Sequence, residues 1–152
     1  MKHSARVLHH LWILAIGLSS VLWLPACDNS SSTTSPTTTA TATLVTDTFT
    51  GSIDQNGSRV HSFTVTSSGY SLLAGYTVLS PSAIAALGMG LGSWDATSST
   101  CSLNVTQNDT ARSGNTGLSG TSGSGSFCLR VYDGGNIPAG VTASYTVQIQ
   151  HY

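Results

Sequence analysis

Residues 44–152 predict an all-β fold, a two-sheet antiparallel sandwich of seven or eight strands. Three observations lead there. Apolar side chains recur at every second position in short runs, the period of a half-buried strand. Clusters of Gly, Asn, Asp and Ser separate those runs and supply turns. The composition also disfavours helix: the 152-residue chain has no Glu, no Lys after Lys2, and a wealth of Ser, Thr, Gly and Val.

The elements follow in order. A first strand is predicted over 44–53, with Phe49, Gly51 and Ile53 on one face. Asp54-Gln55-Asn56-Gly57 turns the chain, and Asn-Gly is a strong hairpin signal. The second strand, 59–66, points Phe63 and Val65 inward and Thr64 and Thr66 outward. Ser67-Ser68-Gly69 turns again. Tyr70, Leu72, Ala74, Tyr76 and Val78 alternate along a third strand, and Pro81 breaks the pattern.

An apolar run from Ile84 to Trp94 comes next, with Gly88, Gly90 and Gly92 at every second position. Helical spacing does not explain those glycines, but one face of a strand does, with Leu87, Met89 and Leu91 on the other. Such a stripe signals close approach by another sheet or backbone. Cys101, Leu103 and Val105 mark a fifth strand. The polar stretch 108–125 reads as a loop with one weak strand around Leu118. Its glycines fall every third residue, but it lacks the proline of a collagen repeat. Phe127, Leu129 and Val131 form the next strand, Asp133-Gly134-Gly135-Asn136 a turn, and 142–151 the last strand, with Tyr145, Val147 and Ile149 inward. This count suits a jelly-roll or Ig-like sandwich.

The residues before the domain carry an address. Lys2 and Arg6 begin the chain, and the apolar run 11–24 follows. As a helix those residues would cover roughly 21 Å, short of the ~30 Å hydrocarbon core, so they predict a signal-peptide core and not a permanent span. The run ends at Leu24-Pro25-Ala26-Cys27, which resembles the lipobox of bacterial lipoproteins. The resemblance implies removal of residues 1–26 and lipidation of Cys27, with stable membrane anchoring by its acyl chains. Asp28 resembles an enterobacterial inner-membrane retention signal, and inner and outer membranes both stay open. Residues 27–43 then form a Ser/Thr-rich linker without a large apolar side chain, expected to be a flexible stalk.

With Cys27 assigned to lipid, Cys101 and Cys128 remain as an even pair in an exported domain and predict a disulfide. A metal site is the alternative, but two thiols at this spacing lack the close-set partners zinc requires. No metal or other cofactor is expected. For calcium, Asp54 with Asn56 or Asp133 with Asn136 offers oxygen ligands, yet neither matches a 12-residue calcium loop.

The chemistry-bearing inventory is thin. From Cys27 onward three arginines face six aspartates, a formal charge of −3 with histidine neutral. That leaves no cationic surface for nucleic acid. His61 and His151 are the only bases available to a serine nucleophile, and no Gly-x-Ser-x-Gly elbow is present. The aspartates are scattered through predicted turns and are not paired as a glycosidase requires. Trp94, the sole tryptophan after the leader, is the candidate ligand contact. If exposed, it offers a stacking platform for a glycan or an anchor for a protein partner; otherwise it packs in the core or rim.

Thr48-Phe49-Thr50-Gly51-Ser52-Ile53, His61-Ser62-Phe63-Thr64-Val65, Phe127-Cys128-Leu129-Arg130-Val131-Tyr132-Asp133 and Tyr145-Thr146-Val147 together resemble the bacterial pre-peptidase C-terminal domain family. These are small β-sandwiches attached to exported proteins. The resemblance spans nearly all of 44–152 and implies a non-catalytic accessory or adhesive domain. The leading expectation is therefore a lipid-anchored, non-enzymatic binding module on the periplasmic or outer face of the envelope. A structural envelope component without a small ligand is the second expectation, and a small hydrolase the third.

Overall fold

The computed structural model describes residues 41–152, so the leader, Cys27 and nearly all of the linker lie outside the described residues. Eight strands form the fold: β1 Val45–Asp54, β2 Ser58–Val65, β3 Tyr70–Ser80, β4 Leu87–Asp95, β5 Thr100–Ala111, β6 Leu118–Ser122, β7 Gly125–Tyr132 and β8 Thr142–His151. They make two antiparallel sheets of four, ordered β1-β8-β3-β6 and β2-β7-β4-β5. The chain crosses between sheets at every connection except β4–β5, which is the jelly-roll arrangement.

Alternation built the core as the sequence predicts. Ile53, Phe63, Val65, Leu72, Ala74, Tyr76, Leu129, Val131, Tyr145, Val147 and Ile149 all sit buried between the sheets. Two local expectations change. The turn at Asn56-Gly57 exists, with Asn56 at φ 58° and the Gly57 amide donating to the Asp54 carbonyl at 2.8 Å. It does not close a hairpin, because β1 pairs with β8 and β2 with β7. The two strands instead face each other across the sandwich, where Phe49 stacks on His61 at 4.8 Å between ring centres. Turn chemistry reverses the chain, but the partner of each strand is set by which apolar faces meet. Val78, expected inward, is 51% exposed. The register with β8 shifts between Tyr76 and Val78, and that bulge inverts the phase, so that half-buried Leu79 takes the core side.

The predicted loop 108–125 is also shorter than expected. β5 runs on through Ala111, the polar side chains of Thr106 to Thr110 concealing the second half of an edge strand whose apolar stripe ends at Val105. The weak strand around Leu118 is β6.

The glycine stripe has a specific cause. Cys101 and Cys128 are joined, with their Cα atoms 5.8 Å apart, yet they belong to strands on opposite sides of β4. Two strand spacings would separate them by roughly 9.6 Å, so the start of β5 must ride over β4. It does so above Gly92, where any Cβ would collide with the Ser102 carbonyl. The stripe's other two positions are covered by side chains from the flanking strands: the Tyr132 ring lies over Gly88 and Leu103 over Gly90. The close approach therefore comes from neighbouring strands of the same sheet and not from another sheet. The disulfide itself closes a loop of sequence separation 27, worth roughly 3–4 kcal/mol in the chain-entropy view.

Gly92→Ala should therefore cost about 3 kcal/mol by overpacking against backbone. Gly123→Ala, where an added Cβ meets nothing within 4 Å, should change stability by less than about 0.5 kcal/mol. Urea unfolding of the oxidised variants checks both, and equal losses would refute the crossing-over-Gly92 account.

Candidate binding face

The outward side of the first sheet is built from uncharged polar residues in register. Thr46, Thr48, Thr50 and Ser52 of β1 lie opposite Gln150, Gln148, Thr146 and Ser144 of β8. Those four in turn lie opposite Leu73, Gly75, Val78 and Ser80 of β3. Alternation places these on the outer side of the sheet, since the residues between them, such as Ile53, Val147, Ile149 and Ala74, face the core. At the far end stands Asp54, whose carboxylate accepts the Thr142 hydroxyl.

A cleft of about 400 Å³ opens on this face, lined by β3, β8 and the loop residues Gly114, Asn115 and Thr116. That volume lies at the low end of small-molecule sites, roughly 300–1,000 Å³. None of its lining side chains is charged at neutral pH. The loop is held by the Gly114 amide on the Tyr76 carbonyl and the Gly117 amide on the Ala74 carbonyl, both at 2.8 Å. The Ser113 hydroxyl donates to the Thr77 carbonyl at 2.9 Å, and the Asn108 amide to the Gly117 carbonyl at 2.8 Å. Gly75 lets the loop come this close, because a Cβ there would stand 2.6 Å from the Asn115 carbonyl oxygen. At the end of the same strands, Tyr70 and Tyr152 stack at 4.6 Å with an interplanar angle of 26°, and Tyr70 is 42% exposed.

The ionisable groups are occupied with structure. His61 is half-buried, stacked on Phe49, with its Nε2 2.7 Å from the Tyr145 hydroxyl. Burial, with help from the nearby Arg59 cation, holds its pKa below the ordinary value. Burial also raises the pKa of Tyr145. His151 is buried at the end of the sandwich, where Nε2 meets the Asp47 carboxylate at 3.0 Å. Its Nδ1 has no hydrogen-bond partner among the described residues.

The five aspartates of the described residues each have donors. Asp47 takes His151, Asp54 takes Thr142, and Asp109 takes the Tyr132 hydroxyl. That phenol is pushed up to about 12 by burial first and the Asp109 contact second. Asp95 accepts the Thr97 amide and the Ser98 hydroxyl, and the Ser98 bond is the main cause of its lowered pKa. Asp133 accepts amides from Asn56, Gly135, Asn136 and Ile137. Desolvation works to raise its pKa, but those amides outweigh it and hold the carboxylate below its usual range. The carboxylates of the two calcium pairs suggested by sequence are thus engaged, Asp54 by the Thr142 hydroxyl across the β1–β8 ladder and Asp133 by loop amides, and among the described residues no three metal-ligating side chains cluster.

Trp94 lies in β4, half-buried and opposite Cys101 in the ladder. Its sheet is the one without the cleft. Sequence reasoning passed over the cleft because Thr, Gln and Gly on alternate positions read as an ordinary solvent face. The available signal was the strict Thr46-x-Thr48-x-Thr50 and Thr146-x-Gln148-x-Gln150 alternation with no charge in it. The chain matches no family model and no curated protein.

Two outcomes follow from these contacts. A lowered histidine pKa means that the folded chain binds fewer protons than the unfolded one as pH drops below 6.5. Stability from His61 should be complete above that pH and decline in acid. Urea midpoints at about pH 7.5 and pH 5 should differ in that sense, and His61→Phe should shrink the difference; an unchanged difference would count against it. Asp133→Ala, which strands four amides, should cost about 2 kcal/mol in the same assay at neutral pH.

Proposed function

We propose that the chain is an exported lipoprotein whose sandwich is a non-catalytic binding module in the cell envelope. Residues 1–26 act as the leader, Cys27 takes the lipid, and the linker to residue 43 sets the domain off from the bilayer, on its periplasmic or cell-surface side. The observation that carries the binding reading is the cleft on the outer face of the first sheet, whose lining carries no charged side chain. It is pre-formed, since backbone hydrogen bonds hold its loop wall. The occupied aspartates and histidines support a module without catalysis, because among the described residues no base stands beside both a hydroxyl nucleophile and an orienting acid. The disulfide accords with an oxidising compartment. The resemblance to pre-peptidase C-terminal domains points the same way, to an accessory or adhesive role.

Fractionation tests the anchor. The wild-type chain should pellet with membranes and incorporate labelled palmitate. Cys27→Ala should appear in the soluble fraction with its thermal unfolding unchanged. A Cys27→Ala chain that still pellets would overturn lipid anchoring.

A further inference from the structure

Asn-x-Ser or Asn-x-Thr, with x other than proline, is the acceptor sequence for N-linked glycans on surface loops of exported proteins. The described residues hold three: Asn56-Gly57-Ser58, Asn104-Val105-Thr106 and Asn108-Asp109-Thr110. Transfer needs a free carboxamide nitrogen on a segment that an enzyme can approach, and the structure separates the three on that ground.

Asn104 and Asn108 both lie within β5, and both carboxamides are held at each end. Asn104 Nδ2 donates to the Ser93 hydroxyl at 2.9 Å, and its oxygen accepts the Ser93 amide at 3.1 Å. Asn108 Nδ2 donates to the Gly117 carbonyl at 2.8 Å, and its oxygen accepts the Thr110 amide at 3.0 Å.

Asn56 differs on each count. It stands exposed in the turn between β1 and β2, at φ 58°. Its backbone amide donates to the Asp133 carboxylate at 2.9 Å and so fixes the turn. Its carboxamide makes no hydrogen bond among the described residues. Ser58, two residues on, is exposed; its oxygen accepts the Arg130 guanidinium at 3.4 Å, which leaves the hydroxyl proton free to donate. A hollow of about 350 Å³, lined by Ser52, Asp54, Gly57 and Arg59 among others, opens beside the turn and leaves room for a bulky group. Asp54 stands two residues before Asn56. An acidic side chain there marks the bacterial form of the acceptor sequence, whereas Ser102 and Thr106 hold that place before Asn104 and Asn108.

Resting on the export reading above, we infer that Asn56 is the acceptor of an N-linked oligosaccharide, presented by the folded β1–β2 turn. The donor class is an oligosaccharide carried on a lipid diphosphate. Asn56 Nδ2 forms a bond to the anomeric carbon, and the bond from that carbon to the phosphate oxygen breaks. The lipid diphosphate leaves with that electron pair, the transferase takes one amide proton, and nothing is oxidised or reduced. The linker joins at Val45 and the turn follows Asp54, so the length of β1, roughly 30 Å, separates the glycan from the tether.

The test incubates the full, disulfide-bonded chain in detergent micelles with a purified bacterial oligosaccharyltransferase and its lipid-linked donor. A free acceptor peptide serves as the control for enzyme activity. The intact mass should rise by one glycan, and peptide mapping should place it on Asn56. Asn56→Gly, which suits the positive φ, should lose the mass shift with thermal unfolding unchanged. Ser58→Ala should lose it as well, and Asn104→Gln should keep it.

A folded chain that stays unmodified while the control peptide is glycosylated overturns the assignment. So does a glycan on Asn104 or Asn108, or modification of Asn56 only after reduction and unfolding in urea. Each of those results leaves the lipoprotein reading untouched, because its own test is the Cys27→Ala fractionation. Failure of that fractionation in turn leaves the acceptor assignment standing.

Discussion

The passage of β5 over β4 at Gly92 is the constraint on which the second sheet depends. The disulfide draws Cys101 toward Cys128 across an intervening strand, and only a residue without a side chain can lie beneath the Ser102 backbone. The rest of β4 adapts to that crossing. Its Leu87, Met89 and Leu91 fill the core, and its glycines accept Tyr132 and Leu103 from either side. The bent β5 then carries Val105 toward Gly120 of β6, where an added Cβ would stand 3.2 Å from the valine methyl. One covalent bond and one glycine thus let a polar edge strand touch both sheets.

Sequence reading worked where one face of a strand is buried and the other is wet. Phe49 and Ile53, Phe63 and Val65, and Tyr145, Val147 and Ile149 all took the sides their alternation assigned. It failed where a single residue changes phase. The bulge at Thr77 turns Val78 outward, and nothing local in that stretch announces it, because Val78 and Leu79 are equally apolar. It failed again at the end of β5, whose Asn108 to Thr110 segment has no apolar stripe and reads as loop. The Asn56-Gly57 turn shows a third limit. Residues with a positive-φ preference dictate a reversal, whereas pairing depends on surfaces tens of residues away. The disulfide was legible from cysteine parity, but its position over β4 was not.

The candidate face escaped notice for a related reason. Motif reading seeks ionisable groups, and here those groups serve the fold: Asp133 caps a loop, Asp95 a turn, and His61 fills space between Phe49 and Tyr145. Trp94 drew attention as the sole tryptophan after the leader, yet the cleft opens on the opposite sheet. The distinguishing property of the first sheet's outer surface is a run of uncharged positions over three adjacent strands, broken only at its end by Asp54. Only the register of β1, β8 and β3 brings those neutral positions together, since Thr46 pairs with Gln150 and Ser52 with Ser144, far apart in sequence.

The strand order also governs when the domain can exist. β8, the eighth strand in chain order, lies in the interior of its sheet, hydrogen-bonded to β1 on one flank and β3 on the other. A chain that emerges N-terminus first therefore cannot close that sheet until Thr142–His151 has been made. Until then β1 waits as an unpaired ribbon, and products that stop short of β8 have no native resting place. Closure of the sandwich is deferred to its eighth strand, so the nascent domain stays threadable until β8 is released.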